Sequence, residues 1–149
     1  MQKQYKLSPE QYSEILQILR LKDVFLIESN FKMNDSDHLR GMVKLNIEDK
    51  YSIFDTDGCA VFYASFKLTG QCQNKEGSSS DEEELFTIKG KFRIEYSKID
   101  NKAIPKDFLK IFQDVSLSIM MWPYYRELIQ NFVARASMPP VTLPLLMRK

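Results

Sequence analysis

Between Leu85 and Ser97 the chain alternates apolar and polar positions with a period of two. Phe86, Ile88, Phe92, Ile94 and Tyr96 share one face, with Gly90 as a flat spot, and Thr87, Lys89, Lys91, Arg93 and Glu95 share the other. This is the pattern of a strand with one face on a core. A second strand is predicted from Met42 to about Tyr51, where Val43, Leu45 and Ile47 alternate with Lys44, Asn46 and Glu48. From Cys59 to Thr69 both faces are apolar at first, Phe62, Ala64, Phe66 and Leu68 on one and Val61 and Tyr63 on the other, as expected of a central or doubly covered strand. An earlier strand runs through Leu19, Leu21, Phe25 and Ile27 and ends near Phe31. Asn34-Asp35-Ser36-Asp37 and Thr56-Asp57-Gly58 read as turns. Residues 70–84, with almost no apolar content, read as a long mobile hairpin loop.

Helical signals flank these strands. Ser8-Pro9-Glu10-Gln11 has the composition of a capping box, with proline at the first helical position, and predicts a short helix to about Ile18. Ile104-Pro105-Lys106-Asp107 opens another, carrying Phe108, Leu109, Ile111 and Phe112, and Asp114 or Ser116 is placed to cap a longer one. In that long helix Tyr125, Ile129, Phe132 and Ala136 form one stripe, flanked by Leu128 and Val133. Arg126, Glu127, Gln130, Asn131 and Arg135 lie opposite, and Met138-Pro139-Pro140 ends it. The order αββββαα predicts a single α+β domain over residues 1–149: a four-stranded, meander-like antiparallel sheet packed against C-terminal helices.

Composition narrows the chemistry. With 149 residues, 44% hydrophobic and 28% charged, the chain is long enough for one core and is not compositionally disordered. A net charge of +1 provides no field for nucleic acid, and no apolar run is long enough to insert in a membrane. The start, Met1-Gln2-Lys3-Gln4-Tyr5-Lys6, lacks the apolar stretch of a signal peptide. Cys59 and Cys72 show no metal-ligand spacing and read as free thiols in a reducing cytoplasm. His38, the one histidine, sits in a turn with no nucleophile pattern around it, the glycines are scattered singly, and the acidic run Asp81–Glu84 lacks the alternating ligands of a cation loop. No catalytic residue, metal or cofactor is expected, and the chain does not read as an enzyme.

What stands out instead is apolar surplus. Ten Phe, seven Tyr and seven Met are plentiful for this length, and Leu19, Leu21 and Phe25, the two-sided strand at Cys59–Thr69 and the helix stripe together exceed what one interface hides. Self-association with a residual apolar groove is the expected outcome.

One stretch carries a resemblance. Trp122-Pro123-Tyr124-Tyr125-Arg126-Glu127, running on through Arg135 to Pro139-Pro140 and Leu143-Pro144, resembles the helix of the SecB family of export chaperones. The resemblance implies an ATP-independent holdase, a homo-oligomer built as a dimer of dimers, that keeps unfolded or precursor polypeptides in apolar grooves for delivery to the Sec translocase through SecA. It places a client groove at Met120, Met121, Trp122, Tyr124, Leu143, Leu145 and Leu146, and an oligomer interface at Tyr125, Arg126, Glu127, Gln130 and Asn131. The chain departs from the family's acidic docking surface, since Lys89, Lys91 and Arg93 give the last strand the opposite sign. That departure brings in a dedicated chaperone of an antitoxin as an alternative. A second alternative is a carrier of small apolar ligands, which requires an enclosed cavity between Phe92 and Phe132 where a holdase requires an open groove.

Overall fold

The computed structural model describes residues 6–34, 43–56, 58–72, 84–100 and 103–138. Helix α1 (Pro9–Leu16) begins at the capping box: Gln11 N–H donates to Ser8 Oγ at 3.2 Å, and Ser8 N–H to Gln11 Oε1 at 3.1 Å. Four strands follow, β1 (Leu19–Met33), β2 (Val43–Thr56), β3 (Cys59–Cys72) and β4 (Glu84–Lys98), all antiparallel to their neighbours. Most of the expected 70–84 loop, His38 and the prolines after Met138 lie outside the described residues, as does the Asn34–Asp37 turn beyond its first residue.

The strand order is β1-β4-β3-β2, which corrects the meander expectation. Strands β2, β3 and β4 do form a meander, but β1 adds to the far side of β4, as in a Greek key. The reason lies in apolar load. β3 and β4 carry buried residues at nearly every inward position, from Phe62 to Leu68 and from Phe86 to Tyr96, and are most stable flanked on both sides. β1 and β2 expose much of their length and take the edges.

Strand β1 also departs from simple alternation. Register shifts between Leu21 and Asp23 and between Leu26 and Glu28 each insert one extra residue. Leu19, Leu21, Val24, Leu26 and Phe31 therefore face inward opposite Lys98, Tyr96, Ile94, Phe92 and Ile88, while Phe25 pairs with Arg93 on the outer face. The expected stripe of Leu19, Leu21, Phe25 and Ile27 is thus split by the bulges. On that outer face Phe54 meets Tyr63 edge-on at 5.6 Å, so the two-sided apolar character of β3 is met by an aromatic neighbour.

The C-terminal region is one continuous helical run: α2 (Lys106–Ile111), a π-helical segment (Phe112–Leu117) and α3 (Ser118–Arg135). No cap interrupts it at Asp114 or Ser116, contrary to expectation. The wider π turn brings Phe112 and Leu117, five apart, both into the core. Inward from α3 point Met121, Trp122, Tyr125, Ile129 and Val133; Val133 lies at the centre of the stripe, and Phe132 shifts to its flank. Tyr125 packs on Phe66 at 4.7 Å and on Phe92 at 5.8 Å. Gly90 lets the helix approach: a Cβ there would lie 2.6 Å from Phe66 and 2.7 Å from Leu128. The helix ends in a Schellman motif. Met138 N–H donates to Val133 O at 3.1 Å and Ser137 N–H to Ala134 O at 3.2 Å, with Ser137 left-handed at φ 52°.

One ion pair ties the end of the sheet to the helical region. Lys98, with only 2% of its side chain exposed, donates to Asp55 Oδ1 at 2.8 Å, and the Ile104 amide donates to Asp55 Oδ2 at 3.1 Å. Asp55 thereby joins β2, β4 and the approach to α2. Asp55→Ala is expected to destabilise the fold by about 3 kcal/mol in urea titration, because it removes the carboxylate from a buried ammonium and an acceptor from Ile104. Trp122→Ala is expected to cost about 3–5 kcal/mol by the same measurement, as truncation of a ring fully enclosed between sheet and helix.

Candidate polypeptide-binding surface

Helix α3 lies over the centre of the sheet, and the inward face of edge strand β1 is only partly covered. Leu21 is 51% and Leu26 48% exposed although both point to the helix side. Their ladder partners are core residues that touch the helix: Tyr96 donates its hydroxyl to the Met120 sulfur at 3.2 Å, and Phe92 meets Tyr124 edge-on at 5.9 Å. Leu21 and Leu26 on one side and Met120 and Tyr124 on the other thus rim an apolar shelf floored by Tyr96 and Phe92. Ile119, 54% exposed, lies on the other flank of the helix and is not part of the shelf.

The shelf is bounded at both ends. At one, Phe31 of β1 stacks on Phe132 of α3 at 5.6 Å and closes strand to helix. At the other, α1 packs back: Tyr12 meets Phe108 at 4.9 Å and its hydroxyl shares a hydrogen bond with Ser116 Oγ. Beyond the shelf, β1 pairs among the described residues on one side only, with β4, so the backbone groups on its other edge face away from the sheet. Such an edge is a template for an extended chain.

The sequence-predicted groove residues divide accordingly. Met120 is half-buried and Tyr124 is 37% exposed, both on the shelf. Met121 and Trp122 are corrected: both are enclosed in the core, at 0% and 2% exposure, so neither presents a surface to a client. Helical geometry explains the split, since Met121, Trp122 and Tyr125 fall on the stripe facing the sheet and Tyr124 falls beside it. Leu143, Leu145 and Leu146 lie outside the described residues. The sequence reading missed Leu26 as a rim residue. The available signal was the excess of apolar residues in β1, but the two bulges conceal which of them face the helix.

The predicted interface residues are also mixed. Tyr125 is buried in the core, which corrects its placement on an outer surface. Glu127, Gln130 and Asn131 are exposed, and Asn131 donates to the Glu127 carbonyl at 3.0 Å along the helix. Arg126 is half-buried, and its Nε is sealed from solvent with no hydrogen-bond partner among the described residues. The Tyr125 hydroxyl is likewise buried beside Tyr51 without a well-formed hydrogen bond. Burial, with the nearby Asp49 carboxylate that accepts from Tyr51 at 2.8 Å, holds both phenols far above their ordinary range. Burial also pushes Tyr96 up to about 12, so the Met120 contact is made by a neutral phenol.

The opposite face of the sheet differs in chemistry. It is polar and rich in cations, with Glu95 held below the ordinary carboxyl range: desolvation opposes this, but hydrogen bonds and charge from Lys22 at 3.4 Å and Arg93 at 3.1 Å prevail. Cys59 is a free, half-buried thiol. Among the described residues no cluster of His, Cys, Asp or Glu is arranged to hold a metal ion, and no helix is long and apolar enough to cross a membrane.

No protein-family profile and no curated protein sequence matches the chain. Comparison with solved structures is informative. The Mycobacterium tuberculosis Rv1957 SecB-like chaperone, solved in complex with a ChAD peptide from the Rv1956 HigA1 antitoxin, superposes with a TM-score of 0.76 at 15% sequence identity, over 92% of this chain and 96% of that one. A protein of unknown function from Streptococcus agalactiae is matched with a TM-score of 0.42 at 14% identity, over 85% of this chain and 96% of that one. The four-stranded antiparallel sheet backed by a long C-terminal helix is the SecB-like fold.

Proposed function

We propose that this protein is an ATP-independent chaperone that holds unfolded or precursor polypeptides, acting by binding and not by catalysis. The observation that carries this reading is the uncovered apolar shelf, Leu21 and Leu26 facing Met120 and Tyr124, beside a strand edge that has no neighbour among the described residues. An extended client would lay apolar side chains on the shelf and pair its backbone along β1, an affinity nearly independent of its sequence. The antitoxin peptide bound by the Mycobacterium tuberculosis protein supports a polypeptide as the ligand class. It also favours a dedicated client, such as an antitoxin, over export through SecA, because the outer sheet face here is basic.

Packing between sheet and helix supports a holdase over a small-ligand carrier. The region between Phe92 and Phe132 is filled by Tyr125, Phe66 and Leu128 against Gly90. Self-association belongs to the same reading, as a cytoplasmic dimer or dimer of dimers: Glu127, Gln130 and Asn131 keep one face of α3 exposed for a second copy to meet.

At stoichiometric ratio and without ATP, the protein is expected to suppress aggregation of a chemically denatured client followed by light scattering. Native mass is expected at a dimer or tetramer. A clean monomer that leaves scattering unchanged at excess would rule the reading out. Leu21→Ser/Leu26→Ser is expected to weaken client binding about tenfold or more, since each leucine has roughly 1 kcal/mol of burial still to gain. The same variant is expected to change unfolding free energy by less than about 1 kcal/mol, as both side chains are half exposed.

A further inference from the structure

We propose that the outer face of the sheet is a second docking site, for an acidic polypeptide segment, independent of the apolar shelf. A depression of about 280 Å³ opens on this face, with four lysines and two glutamates at its wall, a local charge of +2 where the whole chain has +1. Strand register arranges them in two neighbouring rows. One reads Asn30, Lys89, Lys67, Glu48 across β1, β4, β3 and β2; the next reads Glu28, Lys91, Ser65, Lys50. Ser65, short between two lysines, makes the hollow, and Phe66 and Gly90 complete its lining.

The lysines are not absorbed by internal partners. Lys67 and Lys89 are direct cross-strand neighbours, a like-charge pairing that weakens a sheet. Among the described residues no ion pair uses Lys50, Lys67, Lys89 or Lys91, and Lys91 lies instead over the Tyr63 ring at 5.3 Å. Glu48 and Glu28 stand across the ladder from Lys67 and Lys91 without closing an ion pair, so four cations against two carboxylates leave a net positive field that an external anion relieves.

The geometry favours a chain lying along the strands over one that crosses them. Each row ends in a carboxylate, Glu48 on β2 for the first and Glu28 on β1 for the second, so a phosphate chain running across the strands meets a repelling charge in either row. An extended peptide lying along the strands crosses only the cationic centre. Its side chains two residues apart are separated by about 6.8 Å, the same interval that separates the two lysine rows along β4. Carboxylates at alternate positions therefore reach both rows. The row beyond, Phe25, Arg93, Tyr63 and Ser52, presents aromatic rings to an apolar residue two positions further on.

The test is fluorescence anisotropy with a labelled peptide carrying glutamate at alternate positions. Saturable binding is expected, weakened about tenfold or more between roughly 50 and 300 mM salt, and absent for the same peptide with glutamine in place of glutamate. Lys89→Glu is expected to weaken binding at least about tenfold while leaving the thermal midpoint unchanged or higher, because it turns the Lys67 pairing into one of opposite charge. Lys50→Gln/Lys91→Gln, which leaves that pairing intact, is expected to weaken binding as well. Three results would each overturn the proposal: no saturable binding, affinity unchanged in both variants, or an oligonucleotide of equal charge binding more tightly than the peptide. Aggregation suppression by the Lys89→Glu protein is expected to be intact, so that failure of this site and failure of the holdase reading are told apart.

Discussion

A four-stranded sheet is wider than the helix that covers it. With strands about 4.8 Å apart, the outer strand axes lie about 14 Å from one another, whereas a helix with its side chains is about 10–12 Å across. One α3 can seal β3 and β4 but not both edges as well. The close approach at Gly90 sharpens the constraint, because it draws the helix down onto the middle strands. Leu21 and Leu26 are left half exposed on an inward-pointing face, and the side of β1 turned away from β4 lies beside them. A second protein layer, another copy or a bound polypeptide would remove the deficit. The shelf is thus a consequence of architecture, and the surface proposed to hold clients is the part of the core that one chain cannot finish.

The elements of this fold were legible because each rests on local rules. The capping box at Ser8, the period of two in β4 and the apolar stripe of α3 all appear where local patterning places them. Strand order was not legible, since it depends on which strands carry the heaviest apolar load, a comparison between distant segments. Neither were the bulges of β1: each inserts one residue without a composition signal, and they carry Phe25 to the outer face and Leu26 to the shelf. The π segment escaped for a similar reason. Phe112 and Leu117, five apart, fit no ideal helical stripe, and only a widened turn buries both.

The candidate site was legible in part. The aromatic-proline-tyrosine stretch pointed to the correct helix, but conspicuous residues were read as surface when they are core. Trp122 and Tyr125, three apart, face the sheet, while Tyr124 between them reaches the shelf. Large rings are enriched both in cores and at binding surfaces, so composition alone does not separate these roles. The basic outer face was masked differently. A net charge of +1 averages over the whole chain, and only register brings Lys50, Lys67, Lys89 and Lys91 from three strands into one patch.

The two faces of the sheet therefore answer to different forces. The inner face is governed by apolar area, which is indifferent to salt and to client sequence; the outer face is governed by charge, which is sensitive to both. They share a backbone but few side-chain contacts, because alternate residues of each strand point in opposite directions. Within β4, Phe92 underlies the shelf and Lys91, its neighbour in sequence, belongs to the lysine rows. Such an arrangement lets a chaperone hold a client on one side and be addressed by another protein on the other. Neither surface has to be rebuilt for the second to change, since exposed outer residues can vary without disturbing the packing of Phe62, Phe92 and Trp122 that fixes the fold.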